Sequence, residues 1–205
     1  MRDLDRMWAT ARTLSRLYVR AKGRGGGKTP LPPLFLVIDP KRTPHPVRLA
    51  RRLPAGAGVI FRAFGAANAR RTAEKLGRVA KSGRTVLLIG SGEPRMRGAG
   101  AHLPERLASQ ARRYRRRGAL LTAAAHSEAA IRRARLAGCD AVLVSTVFES
   151  ASPSAGKPMG AVRFAALVRR AGLPVYALGG INAKTARRLL ASGAAGLAAV
   201  GAFAD

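Results

Sequence analysis

The chain has 205 residues, which suits a single domain, and its one cysteine, Cys139, excludes an intrachain disulfide and a cysteine-rich zinc site. It lacks the stretch of about 20 apolar residues that spans a bilayer, and charged residues interrupt the N-terminal segment, so we expect a cytoplasmic protein without a secretory signal. The 38 Lys and Arg against 10 Asp and Glu give a charge of +28 and predict non-specific attraction to nucleic acid, unless the arginines are solvated helix faces that reflect codon usage in a GC-rich genome.

The N-terminal segment is predicted to be a separate unit from the rest of the chain. Apolar side chains recur at spacings of three and four over residues 1–22, which indicates an amphipathic helix. A glycine-rich joint follows at residues 23–27. We therefore divide the chain into a basic amphipathic helix with its joint, 1–30, and a folded unit, 31–205.

From residue 34 onward, short apolar runs alternate with helical segments. The predicted strands cover 34–38, 56–61, 85–89, 98–103, 119–124, 140–145, 174–178 and 196–200, and the predicted helices cover 66–82, 104–117, 127–137, 160–171 and 182–192. Strands that are apolar throughout are typical of parallel sheets covered on both faces. Eight of them predict an α/β fold, a (β/α)8 TIM barrel, with a doubly wound open sheet as the alternative.

Two of the crossovers depart from a regular barrel. Residues 90–97 are too few for a full helix, and only five residues follow the last strand, so the eighth helix is expected to be truncated or missing. We expect the extra N-terminal helix to cover part of the surface that this leaves open.

The loops after the last two strands carry the strongest signal for a ligand. Active sites of such barrels lie at the carboxyl ends of the strands, and phosphate is often held after strands 7 and 8. Gly179 and Gly180 follow strand 7, with Asn182 as a helix N-cap, and Gly201 follows strand 8. Glycines let a backbone approach an anion closely, so we predict a phosphate site there; the alternative is that they only form tight turns.

Other strand ends supply candidate binding and catalytic side chains. Arg62 follows strand 2, and Ser145, Thr146 and Phe148 follow strand 6. Lys157 lies in a long loop that either closes over a ligand or is simply exposed. His126 follows strand 5 and is the candidate general acid–base, because imidazole titrates near neutral pH. It could instead only cap the backbone.

The ordered set of strand-end motifs resembles one known family. The motifs are Leu36-Val37-Ile38-Asp39, Ala101-His102-Leu103-Pro104-Glu105, Ala125-His126-Ser127, Ser145-Thr146-Val147-Phe148 and Ala177-Leu178-Gly179-Gly180-Ile181-Asn182. Together they resemble the thiamine-phosphate synthase/TenI family over residues 34–203. The resemblance implies a barrel of thiamine biosynthesis that binds a phosphorylated thiazole.

Two activities are implied by this resemblance. The synthase branch joins a pyrimidine pyrophosphate to a thiazole phosphate with Mg2+; here Glu105 is the candidate metal ligand, and Gly90 and Ser91 stand where the family usually has Asn-Asp. The TenI branch isomerises a thiazole carboxylate phosphate without a metal, and the family's fifth-strand histidine, matched by His126, carries the proton. We favour TenI-like tautomerase chemistry with no cofactor.

Three alternatives remain at this point. The first is a working synthase that uses Arg62, Glu105 and Lys157 with Mg2+. The second is a non-catalytic barrel that binds a phosphorylated ligand, and the third is a protein whose main partner is a polyanion. A homo-oligomer is compatible with all of them.

Overall fold

Eight parallel strands form a closed barrel. The structure is a computed structural model that describes residues 2–22, 30–39, 43–63, 65–90, 96–152 and 155–200. The strands are β1 (Leu34–Ile38), β2 (Gly58–Phe61), β3 (Val86–Gly90), β4 (Gly100–Leu103), β5 (Leu121–Ala125), β6 (Ala141–Val144), β7 (Val175–Ala177) and β8 (Gly196–Val200). Each pairs with the next, and β1 pairs with β8 from Leu34 opposite Leu197 onward, which closes the ring. The predicted (β/α)8 barrel is confirmed.

Helices connect most of the strands on the outside of the barrel. They are α1 (Arg2–Lys22), α2 (Pro46–Arg51), α3 (Ala69–Gly83), the 3-10 helix η1 (Glu105–Tyr114), α4 (Glu128–Leu136), α5 (Gly160–Arg170) and α6 (Ala183–Arg187). The sequence did not predict α2, which begins next to two prolines. The α-helix predicted over 104–117 is wrong in type, because the structure has the 3-10 helix η1 there. The helix predicted over 182–192 is wrong in length, because α6 ends at Arg187.

The N-terminal helix packs onto the barrel beside its last strand. Leu4, Met7, Ala11 and Leu14 are buried on one face of α1. This face contacts β1, β8 and α6, on the side where a regular barrel carries its eighth helix. Residues 201–205, including the predicted helix stub, lie outside the described residues, and the division of the chain at residue 30 stays a prediction. None of the described helices is long and apolar enough to cross a membrane.

The interior of the barrel is filled near the amino ends of its strands. The rings of Phe35 and Tyr176 meet edge to face with their centroids 5.0 Å apart. The Tyr176 hydroxyl donates a hydrogen bond of 2.8 Å to the carbonyl of Pro32. Because both rings are fully buried, this end of the barrel is closed, and an open cavity lies at the carboxyl ends of the strands.

Candidate functional site

A cavity of about 750 Å³ opens at the carboxyl ends of the strands. Its walls come from the strand ends and from the loops that follow β4, β6 and β7. The charged or titratable residues in the walls are Arg62, His102, Glu105, Arg106, His126 and Glu149. Because parallel strands end at one edge, residues far apart in sequence meet here, as expected for this fold.

His126 is held by a carboxylate at the edge of the cavity. It follows β5, and Glu105 follows the neighbouring β4. One carboxylate oxygen, Glu105 Oε2, accepts hydrogen bonds from the backbone N–H of His126 at 2.9 Å and from its Nδ1 at 2.7 Å. The other oxygen accepts a hydrogen bond of 3.0 Å from Arg133 on α4. The side chain of His126 is 56% exposed, so its ring is fixed on one side and accessible on the other.

The backbone of the loop after β7 lies very close to the loop that follows β6. Gly179 has a φ of 91° and Gly180 a φ of 65°, values that L side chains rarely adopt. A Cβ on Gly180 would overlap the carbonyl oxygen of Glu149, and a Cβ on Gly179 would lie 2.8 Å from Thr146 Cγ2. The glycines are therefore required for packing between the two loops, whether or not an anion binds there.

The N-terminus of α6 leaves backbone donors beside these glycines. Asn182 caps the helix, since its side chain accepts hydrogen bonds from the backbone N–H groups of Lys184 and Thr185, as predicted for an N-cap. Within the described part of the chain, no group accepts a hydrogen bond from the N–H of Gly179, Gly180 or Ile181. These three donors stand at the wall of the cavity and can receive the oxygens of an anion.

Two basic side chains lie deeper in the cavity, on the β2 and β4 side. His102 is buried, and its Nδ1 lies 2.9 Å from the hydroxyl of Thr122. Burial, with Arg62 adding a smaller effect, lowers the pKa of His102 to about 3, so this ring is neutral at physiological pH. Burial also lowers the pKa of Arg62, against the opposing effect of Asp39. Arg62 thus places a cation on this side of the cavity, and Arg106, which follows β4, is a second one in its wall.

The predicted site residues separate into those that line the cavity and those that do not. Arg62, His126, Ser145, Thr146, Gly179 and Gly180 line it, and so does Glu105. Phe148 is buried beside it, under the guanidinium of Arg188 at 4.9 Å. Lys157 is exposed and is not part of the wall. Gly201 lies outside the described residues.

Sequence reasoning missed three residues of this region. Arg106 and Glu149 line the cavity, and Arg133 binds Glu105 from α4. Arg106 and Glu149 each directly follow a predicted site residue in the sequence, and this position is a weak indication that they belong to the site. Arg133 gave none, because it lies 28 residues from Glu105 among other arginines of a helix.

Glu105 does not fit the role of magnesium ligand that a synthase would give it. Its two oxygens already accept three hydrogen bonds, and the Arg133 guanidinium beside it would repel a divalent cation. No group of three or more His, Cys, Asp and Glu side chains in the described ranges is arranged to hold a metal ion.

Comparisons with known proteins show a sequence family and a shared fold. Residues 34–203 match the model of a protein family described as thiamine monophosphate synthase. The thiamine phosphate pyrophosphorylase from Pyrococcus furiosus shares 20% sequence identity at a TM-score of 0.66, over 83% of this chain and 88% of that one. A structure described as native KDPGal shares 15% identity at a TM-score of 0.56, over 83% of each chain. At these identities the solved structures support the fold alone. No curated protein matches the sequence.

Proposed function

The chain belongs to the thiamine monophosphate synthase family, and on that premise we propose that it binds a phosphorylated thiazole and isomerises it by proton transfer through His126. Membership in the family supports an enzyme of thiamine biosynthesis. The tautomerase activity, the cytoplasmic location and the absence of a cofactor are our proposals within that frame.

The observation that carries the proposal is the contact between His126 Nδ1 and Glu105 at 2.7 Å. A carboxylate has no proton to donate, so Nδ1 carries the hydrogen and, in the neutral ring, Nε2 has the free electron pair. A histidine so fixed at the wall of a ligand cavity is suited to general acid–base catalysis near neutral pH.

The phosphate of the substrate is assigned to the loop after β7. The N–H groups of Gly179, Gly180 and Ile181 supply donors, and the close packing of the two glycines against the loop after β6 holds this loop in shape without a ligand. Arg62 on the opposite side supplies a cation for a second anionic group. The substrate's phosphate and carboxylate give it two anionic ends, which matches this arrangement of donors.

The proposed reaction conserves every atom of the substrate. His126 Nε2 takes a proton from a carbon of the thiazole system, so that the C–H bond breaks and its electron pair enters the conjugated system. A proton returned to the other end of that system completes the isomerisation and restores the neutral imidazole. No metal or redox cofactor enters this step.

The test is turnover of thiazole carboxylate phosphate, followed by NMR of the two isomers. We expect His126→Gln to lower kcat by about 10²- to 10⁴-fold, the usual contribution of a general acid–base group, with substrate affinity within about twofold of wild type. His45→Gln is the matched control, because His45 is exposed on the loop before α2 and lies outside the cavity. Equal turnover in His126→Gln and wild type would rule out the assignment.

The family description favours a second candidate, a thiamine-phosphate synthase. Such an enzyme would release pyrophosphate from the pyrimidine substrate and would need Mg2+. The hydrogen bonds of Glu105 and the position of Lys157 away from the cavity speak against it. Pyrophosphate release that depends on Mg2+ would establish the synthase in place of the tautomerase.

A further inference from the structure

Glu105, the carboxylate whose contact with His126 carries the proposed function, is itself held in place by its surroundings. Glu105 begins η1, directly after β4, and β4 pairs with β5, the strand that ends at Ala125. It is the carboxylate that bonds both the backbone and the ring of His126. These contacts fix the direction of the imidazole ring relative to the strand end.

Arg133 determines where the carboxylate itself points. The helix α4 begins after Ser127, whose hydroxyl accepts a hydrogen bond from the backbone N–H of Ala130. It therefore carries Arg133 back toward η1, and Nη2 donates to Glu105 Oε1 at 3.0 Å. The side chain of Glu105 is 27% exposed, and its two oxygens are held by His126, just after β5, and by Arg133 on α4. The carboxylate is thus fixed before any substrate arrives.

We propose that Glu105 is a positioning residue for His126: held by Arg133, it keeps the imidazole proton on Nδ1 and leaves Nε2 as the basic atom facing substrate. The inference deepens the proposed function and rests on it for the kinetic part alone. The hydrogen bond that a histidine makes through one nitrogen decides which nitrogen is protonated. A carboxylate partner also stabilises the imidazolium that forms when Nε2 takes a proton.

The tautomer of His126 is the direct test, and it needs no substrate. The chain has three histidines, so long-range ¹H–¹⁵N correlation of labelled protein gives few imidazole signals, and the signal lost in His126→Gln identifies His126. When the ring is neutral, we expect wild type to show protonated Nδ1 and unprotonated Nε2. In Glu105→Ala, we expect the Nε2–H tautomer to become substantial, because no acceptor remains at Nδ1.

Two further variants keep the test decisive if Glu105→Ala does not fold. Glu105→Gln keeps the size of the side chain but replaces one acceptor oxygen with an amide NH2 group, which cannot accept a hydrogen bond from Arg133 or His126. We therefore expect a mixture of the two tautomers. Glu149→Gln is the matched control, since Glu149 is the other carboxylate in the cavity wall and should leave the tautomer unchanged. A wild-type ring in the Nε2–H form, or a tautomer that is the same in Glu105→Gln, would overturn the proposal.

Kinetics separates positioning from simple support of the fold. We expect Glu105→Gln to lower kcat by about 10- to 100-fold with KM within about twofold, by analogy with the loss seen when the carboxylate behind a metal-bound histidine is removed. A higher KM at unchanged kcat would contradict the positioning role. If the tautomer shifts in the variant but wild type does not turn over thiazole carboxylate phosphate, Glu105 still positions His126 and the proposed substrate is wrong.

Discussion

The two sides of the cavity are built from different chemical groups. At the ends of β4 and β5, side chains form the site, with His126, Glu105 and Arg133 joined by charge-assisted hydrogen bonds. At the ends of β6 and β7, backbone forms it, with Gly179 and Gly180 pressed against the β6 loop. The side-chain part is suited to moving a proton, and the backbone part to holding an anion.

This difference determines what substitutions do. A side chain on the β4–β5 side can be exchanged for one of similar size while the strand ends stay in place, so the effect appears in catalysis. On the β6–β7 side, a side chain added at Gly179 or Gly180 meets the loop after β6, so the effect appears in stability and binding together.

At physiological pH, the largest effect on stability and binding is expected for Gly180→Ala. The φ of 65° and the overlap of a Cβ with the Glu149 carbonyl force the loop to shift, which should lower the free energy of unfolding by about 1–3 kcal/mol. Loss of the donor geometry should weaken thiazole phosphate binding by about tenfold or more, the equivalent of 1.4 kcal/mol. Denaturant unfolding and calorimetric titration measure the two effects.

Gly156→Ala is the matched control for this substitution. Apart from its chain neighbours, no heavy atom of the described residues lies within 4 Å of a Cβ at Gly156, and the residue is exposed. Its stability and affinity should remain those of wild type. If Gly180→Ala behaves in the same way, the β7 loop is not a rigid backbone site.

A different effect, limited to acid pH, is expected from His102 on the β4 side. Its pKa is about 3 in the folded protein, while the unfolded chain has the ordinary value near 6.5. Between these values the unfolded state binds one proton more, so stability falls as the pH decreases through this window, by about 1.4 kcal/mol per pH unit. Above pH 6.5 both states are neutral and the contribution to stability is fully present.

Chemical denaturation of His102→Gln at a series of pH values measures this contribution. The free energy of unfolding of the variant should fall less steeply than that of wild type between pH 6 and pH 4, because the buried imidazole is gone. His45→Gln, at an exposed position, should keep the wild-type slope. Parallel curves for His102→Gln and wild type would mean that His102 is protonated in the folded protein.

The smallest effect is expected for Lys157→Ala. Lys157 is exposed and does not line the cavity, so thiazole phosphate affinity should stay within about twofold of wild type, a difference below 0.5 kcal/mol. Calorimetric titration checks this value. A loss of tenfold or more would show that the loop after β6 closes over the ligand and that the backbone does not hold the phosphate alone.

The sequence predicted the barrel well because its strands are short apolar runs separated by glycine and charged helices. It missed α2, because the prolines at 44 and 46 are typical of a loop. It predicted an α-helix where η1 is a 3-10 helix, because alanines three residues apart, such as Ala108 and Ala111, fit either type of helix. It placed His126 and the two glycines at the cavity by their strand-end positions. It did not foresee Arg133, because a contact across 28 residues depends on how α4 packs against η1.

The most direct test of the central claim is calorimetric titration of the purified protein with thiazole phosphate, alone and then with pyrimidine pyrophosphate and Mg2+. We expect thiazole phosphate to bind without Mg2+, to bind more weakly to Gly180→Ala, and to bind His126→Gln as it binds wild type. Absence of binding to wild type, or binding of the pyrimidine pyrophosphate that requires Mg2+, would contradict the assignment of this cavity to a thiazole phosphate isomerase.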